Sequence, residues 1–107
     1  MKVTIVKGGG IAGVVTRTEL ASDALSPDEA ATLREKVAES RVLETATPEK
    51  LEVASPDEPQ YELTVEDEGG AHSVRLRESE LHDPVRSLIS FTESHPNRKE
   101  AIQPASF

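Results

Sequence analysis

The chain has 107 residues and a formal net charge of −8, from 20 acidic and 12 basic side chains. This length supports one domain with one hydrophobic core, which excludes a two-domain enzyme with a cleft between its domains. The excess of acid argues against nucleic acid and anionic membrane surfaces, because both are bound through concentrated Lys and Arg. The chain has no cysteine, so disulfides, thiolate metal sites and cysteine nucleophiles are excluded.

Neither a leader nor a membrane span is predicted. The apolar run near the amino terminus is too short for the apolar part of a signal peptide. No run approaches the roughly 18 apolar residues of a transmembrane helix. We therefore expect a cytoplasmic protein. We also expect it to be a monomer when free.

A β-hairpin is predicted at the start of the chain. Residues 2–7 alternate and are rich in β-branched side chains, which is typical of a strand. Residues 13–20 are again rich in Val and Thr and predict a second strand. Gly8, Gly9 and Gly10 break the first strand, and the two strands are expected to pair across this glycine-rich loop.

A helix is predicted over residues 26–40. Ser26, Pro27 and Glu29 form a capping box, with Ser at the N-cap, Pro at the first helical position and Glu at the third. Apolar side chains at helical spacing then form one stripe, made of Ala30, Leu33 and Val37.

Residues 41–59 give no single pattern. Pro48, Pro56 and Pro59 exclude a long regular element in this stretch. A short edge strand around Leu51 and Val53 is the alternative to an irregular segment.

A second hairpin is predicted over residues 60–66 and 71–77. Both stretches alternate apolar and polar side chains, and Asp67-Glu68-Gly69-Gly70 between them is typical of a hairpin turn. The polar faces of the two strands should bring opposite charges together, which supports the pairing modestly. The side chains expected to meet are Glu62 and Glu66 with Arg75 and Arg77.

A second helix is predicted to begin at Asp83-Pro84, with Asp as N-cap and Pro at the first helical position. Its apolar stripe consists of Val85, Leu88 and Ile89, and Pro96 ends the helix at about His95. Residues 97–107 are polar and lack periodicity, which predicts a flexible C-terminal tail beyond a domain of residues 1–96.

The element order is β-β-α-(β)-β-β-α, where the bracketed strand is the one around residue 52. Hairpins combined with amphipathic helices predict an α+β fold. We expect an antiparallel sheet of four strands, or five with the bracketed one, and two helices packed on one face.

The glycines after the first strand match a dinucleotide-binding motif. Gly8, Gly10 and Gly13 have the G-x-G-x-x-G spacing. That motif needs its last glycine to open a helix whose N-terminus holds the pyrophosphate. Here a β-branched run follows, which disfavours helix. The motif therefore does not predict a nucleotide site.

Other chemistry is equally weakly supported. His72, His82 and His95 form no H-E-x-x-H motif and no pair at i, i+4. His72 is expected to be a half-buried structural residue of its strand. No G-x-S-x-G occurs, and most carboxylates lie on predicted solvent faces, where nothing shifts their pKa. We predict no enzyme activity, no metal site and no cofactor.

The glycine-rich loop has two interpretations. Ile11 and Ala12 lie between Gly10 and Gly13, where they could project from a hairpin tip towards a partner. Alternatively the glycines make a tight turn or bulge and Ile11 packs inward. The sequence alone favours neither.

Four sequence blocks in a fixed order resemble the emfourin family, the protein inhibitors of protealysin and other thermolysin-like (M4) zinc metallopeptidases. They are VKGGGIAG at residues 6–13, YELTVE at 61–66, GAHSVR at 70–75 and PVRSLISF at 84–91. The resemblance covers about residues 3–95. Each block is unspecific by itself, whereas their order and spacing are specific.

The resemblance implies a non-catalytic inhibitor that occludes the active-site cleft of an M4-type zinc metallopeptidase, with the zinc belonging to the target. The first contact hypothesis is the glycine-rich loop, made of Gly8, Gly9, Gly10, Ile11, Ala12 and Gly13. The second is the other hairpin turn, made of Asp67, Glu68, Gly69 and Gly70. The alternative function is a non-inhibitory protein-interaction module of the same fold.

Overall fold

The computed structural model describes residues 1–8, 14–41 and 60–104. These residues form two helices and five strands, with short 3₁₀ turns at Ser22–Ala24 and Glu78–Glu80. In chain order the elements are β1 (Lys2–Gly8), β2 (Val14–Ala21), α1 (Pro27–Ser40), β3 (Gln60–Asp67), β4 (Gly70–Arg77), α2 (Asp83–Ser94) and β5 (Lys99–Pro104). The strands form one sheet in the order β4-β3-β1-β2-β5, and each neighbouring pair is antiparallel.

The predicted α+β class, the antiparallel sheet and the two helices are confirmed. Both predicted hairpins form, β1 with β2 and β3 with β4. The first strand of one hairpin pairs with the first strand of the other, since Lys2 lies opposite Glu66 and Gly8 opposite Gln60. This β1–β3 pairing turns two hairpins into one sheet.

The fifth strand lies at the end of the chain. The flexible tail predicted for residues 97–107 is wrong at Lys99–Pro104, which forms β5 along the outer edge of β2. An edge strand is held by backbone hydrogen bonds to one neighbour, so it needs no apolar alternation, and polar residues and Pro are tolerated there. The edge strand considered around Leu51 and Val53 falls outside the described residues, as does most of the ambiguous segment 41–59.

The core lies between the helices and one face of the sheet. The predicted apolar stripes are confirmed, because Ala30, Leu33 and Val37 of α1 and Val85, Leu88 and Ile89 of α2 are all buried. All of them except Ala30 join one cluster with the strand residues Val3, Ile5, Leu20, Tyr61, Leu63, Val65 and Val74. Aliphatic side chains dominate this core, which accords with the low aromatic content of 3%.

The sheet face turned away from the helices carries ion pairs. Glu62 faces Arg75 as predicted, with Nε of the arginine 2.9 Å from Oε2. The predicted approach of Glu66 to Arg77 is wrong, because the register places Glu66 opposite Ala71 and Arg77 opposite Gln60. Oε2 of Glu66 instead lies 3.6 Å from Nζ of Lys2 on β1. The pairing rules for a single hairpin do not predict this contact, because β1 belongs to the other hairpin.

Helix ends follow the predicted capping chemistry with one shift. Ser26 is the N-cap of α1, where its Oγ accepts a hydrogen bond from the backbone N–H of Glu29. In α2 the N-cap is His82 and Asp83 is already helical, so the predicted cap lies one residue too late. The helix ends before His95 as expected. Neither helix in the described part of the chain is long and apolar enough to cross a membrane.

Candidate functional site

The glycine-rich loop joins the ends of two paired strands. Of its predicted contact residues only Gly8 is described, as the last residue of β1, while Gly9, Gly10, Ile11, Ala12 and Gly13 fall outside the described residues. Among the described residues, a Cβ added at Gly8 would meet Cγ2 of Val15 at 3.5 Å, an ordinary contact. The chain resumes at Val14 as an antiparallel strand, so no helix N-terminus follows the glycines to hold a pyrophosphate.

The second predicted contact, the turn Asp67–Gly70, is a tight and fully exposed hairpin. Asp67 Oδ1 accepts a hydrogen bond of 2.8 Å from the Gly69 backbone N–H. Gly70 has φ +126, a conformation that side-chain-bearing residues rarely adopt. The turn is thus fixed by its own short-range contacts, and Glu68 points into solvent at its tip.

These two predicted contacts lie at opposite ends of the sheet. Gly8 pairs with Gln60 at the start of β3, whereas Asp67 is at the end of that strand and pairs with Gly70. Asp67 lies seven residues after Gln60 along the strand, which is roughly 23 Å at about 3.3 Å per residue. Gly8 and the turn Asp67–Gly70 consequently lie on two separate surfaces.

We call the end that carries Gly8, Gln60 and Arg77 the glycine end. Gln60 lies opposite both Gly8 and Arg77, so three strands end there at the same level. The 3₁₀ turn Glu78–Glu80 and the start of α2 follow Arg77 directly. The described residues that flank the glycine-rich loop therefore lie beside the turn that leads into α2.

The far end of the sheet, which carries Lys2 and Ala21, is tied together by polar contacts. The amino group of Met1 donates to Ser22 Oγ at 3.0 Å, and the Asn97 side-chain amide donates to the Ala24 carbonyl at 2.7 Å. These bonds join the N-terminus, the β2–α1 connection and the α2–β5 connection. This end is closed by internal hydrogen bonds.

His95 links the two helices at that end. Its Nε2 lies 2.6 Å from Glu29 Oε2, while its Nδ1 accepts the Asn97 backbone N–H at 3.0 Å. Because Nδ1 is an acceptor, Nε2 carries the proton and donates it to the carboxylate. The hydrogen bonds from His95 and then from Ser26 lower the pKa of Glu29. His95 is buried, so its role here is structural.

The other histidines are scattered. His72 lies half-buried on β4, as predicted, and His82 is exposed at the start of α2. Residues 1–8, 14–41 and 60–104 contain no group of three or more side chains placed to hold a metal ion.

Two features near the glycine end were not singled out in the sequence. Lys7, one residue before Gly8, places its Nζ 5.6 Å from the centre of the Tyr61 ring. Arg86 of α2 is held by backbone carbonyls of the preceding turn. Neither has a local sequence signal, since each depends on pairing or packing between distant segments.

Comparison with known proteins gives one match. The Emfourin family model matches residues 5–93, which is most of the chain. No curated protein and no solved structure matches. The matched range begins in β1, spans the glycine-rich loop, both hairpins and α1, and ends in α2.

Proposed function

Since the chain belongs to the Emfourin family, we propose that it inhibits a thermolysin-like (M4) zinc metallopeptidase by occluding the active-site cleft. Membership implies a protease partner in general. The single observation that carries the proposal is the family match, which spans the whole framework from β1 to α2. The zinc in this inhibition belongs to the peptidase.

The glycine end is the proposed contact. Of the two predicted loops, the one between β1 and β2 joins strands near the middle of the sheet, and β1 is paired on both sides. Gly8 is therefore held by β3 and Val14 by β5, while β1 and β2 pair with each other up to Lys7 and Thr16. A loop held on fixed strand ends loses little entropy on docking, which leaves more of the contact energy for affinity.

Ile11 is the proposed specificity residue. It is the one large apolar residue between the glycines, and an aliphatic side chain suits the hydrophobic pocket with which this peptidase class selects its substrates. Full burial of such a side chain contributes roughly 1.5–3 kcal/mol. The second predicted contact, the turn Asp67–Gly70, lies on the far surface and would then remain in solvent.

The test is a titration of the purified protein against a protealysin-like peptidase with a small fluorogenic peptide as substrate. We expect inhibition at micromolar concentration or below that competes with substrate. Absence of inhibition would remove the inhibitor proposal for that target. Binding in calorimetry without loss of peptidase activity would instead support the non-inhibitory interaction module.

A pair of variants separates the two loops. Ile11→Ala should raise the inhibition constant roughly ten- to a hundredfold, through the lost apolar burial. Glu68→Ala, at the opposite end of the sheet, should leave it unchanged. Circular dichroism establishes that both variants are folded. If Ile11→Ala inhibits as well as the parent, the glycine-rich loop is not the contact, even where inhibition itself is found.

A further inference from the structure

A groove runs along the side of α2, next to the glycine end. Its volume is about 300 Å³. Tyr61, Leu81 and Ile89 form its floor, each less than a tenth exposed. Tyr61 lies opposite Lys7 in the β1–β3 pairing, so the groove begins within two residues of the glycine-rich loop. The floor is apolar, whereas the rim is polar.

Arg86 stands at one end of this groove. Its Nε donates to the Leu81 carbonyl at 3.0 Å and one terminal nitrogen donates to the Glu78 carbonyl at 3.1 Å. Among the described residues no carboxylate oxygen lies within 4.0 Å of its guanidinium. The two carbonyls fix the plane of the guanidinium and leave further N–H donors free. A guanidinium held in this way is ready for a carboxylate.

Glu93 stands at the other end of the groove. Residues 86, 89, 90 and 93 share one side of α2, and all four line the groove. Partial burial raises the pKa of Glu93, against the opposing effect of the Lys7 charge. A carboxyl group at this end of the groove disfavours a second acid beside it and accepts hydrogen bonds, so this end suits a basic group or another hydrogen-bond donor.

The spacing of these two charges sets the length of the occupant. Seven helical residues separate Arg86 from Glu93, which is about 10 Å along the helix axis. An extended chain covers that distance in three to four residues, about 10–13 Å. Because side chains alternate between the two faces of an extended segment, an acidic and a basic side chain four residues apart point to the same face and can reach both ends, while the side chain midway between them faces Tyr61 and Ile89.

We propose that this groove binds an extended segment of the partner protein that carries a carboxylate for Arg86 and a basic group for Glu93. The inference rests on the proposed function for the identity of the partner, the inhibited peptidase. The contact surface would then extend from the glycine-rich loop along α2. The groove would add a charge-dependent contribution to the free energy of binding, whereas the glycine-rich loop contributes through burial of apolar surface.

The first experiment needs no peptidase. The ¹⁵N-labelled full chain is titrated with acetyl-Glu-Leu-Val-Leu-Lys-amide to 5 mM, and its amide shifts are followed. Shifts should concentrate at Leu81, Arg86 and Ser90, and should be lost when Gln replaces the Glu of the peptide. Equal shifts with both peptides, or none around the groove, would overturn the proposal.

The second experiment uses the inhibition assay. Arg86→Gln should raise the inhibition constant roughly ten- to a hundredfold, as expected for a lost charge-assisted hydrogen bond. It should also weaken the dependence on NaCl. Arg86→Lys, which keeps the charge and loses the planar fork, should lie between. Arg34→Gln, on the exposed side of α1, is the matched control and should change neither quantity.

The outcomes of the two experiments are distinguishable. If the parent chain does not inhibit, the proposed function fails for that target, and the peptide titration alone decides the groove. If the parent inhibits and a folded Arg86→Gln inhibits equally at every salt concentration, the groove is not part of the contact and this inference is overturned.

Discussion

Removal of the Ser26 hydroxyl should lower stability without affecting inhibition, because Ser26 lies at the far end of the sheet and the proposed contact lies at the glycine end. In the native protein this hydroxyl accepts the Glu29 backbone N–H at 3.2 Å and donates to Glu29 Oε1 at 3.1 Å. Ser26→Ala removes both bonds and leaves the first backbone N–H groups of α1 without a side-chain acceptor. Both distances are near the long limit and the site is exposed, so we expect a loss of about 1 kcal/mol, the middle of the range for N-caps.

The assay is thermal unfolding followed by circular dichroism at 222 nm. A loss of about 1 kcal/mol should lower the midpoint temperature by about 4–8 °C in a domain of this size. Ser26→Thr keeps the hydroxyl and should recover most of the loss. The inhibition constant should not change in either variant, because Ser26 begins α1 at the far end of the sheet. Full stability of Ser26→Ala, or lost inhibition in a folded Ser26→Ala, would refute this reasoning.

Two pH predictions follow from carboxylates whose folded and unfolded pKa values differ. The Glu29 pKa is lowered in the folded state by His95 and Ser26, so its stabilisation is present above the ordinary value of 4.5 and is lost as pH falls through the folded pKa. Glu29→Gln should therefore flatten the acid limb of an unfolding-free-energy profile, and an unchanged limb would contradict this. The Glu93 pKa is raised by burial, so its ionisation opposes folding. Glu93→Gln should stabilise the protein at pH 7 but not at pH 3, and destabilisation at pH 7 would contradict the assignment.

The regular elements were predictable because each carries its own periodicity. The stripe of Leu33 and Val37 and the alternation of Leu63 and Val65 depend on local geometry alone, and all four side chains are buried. Strand β5 was missed because an edge strand with polar side chains has no such pattern. Its position is set by β2, which lies some 80 residues earlier in the chain.

Contacts between distant segments could not be predicted from local patterns. The bond between His95 and Glu29 joins residues 66 positions apart, and neither residue type indicates the other. The same limit applies to the two candidate loops. Each hairpin was predicted, but only the β1–β3 pairing shows that Gly8 and Asp67 lie at opposite ends of the sheet.

The arrangement of charge makes the proposed contact end unlike the surface as a whole. The chain carries a net charge of −8, which favours approach to a basic surface and a salt-dependent rate of association. Near the glycine end, however, Lys7 stacks on Tyr61 and Arg86 is held without a carboxylate partner among the described residues. The long-range attraction therefore favours a partner with a basic face. The contact at Arg86, by contrast, needs a carboxylate on a segment close to that face. Such a combination discriminates between partners of similar net charge, because only one with a carboxylate at that place gains the contact to Arg86.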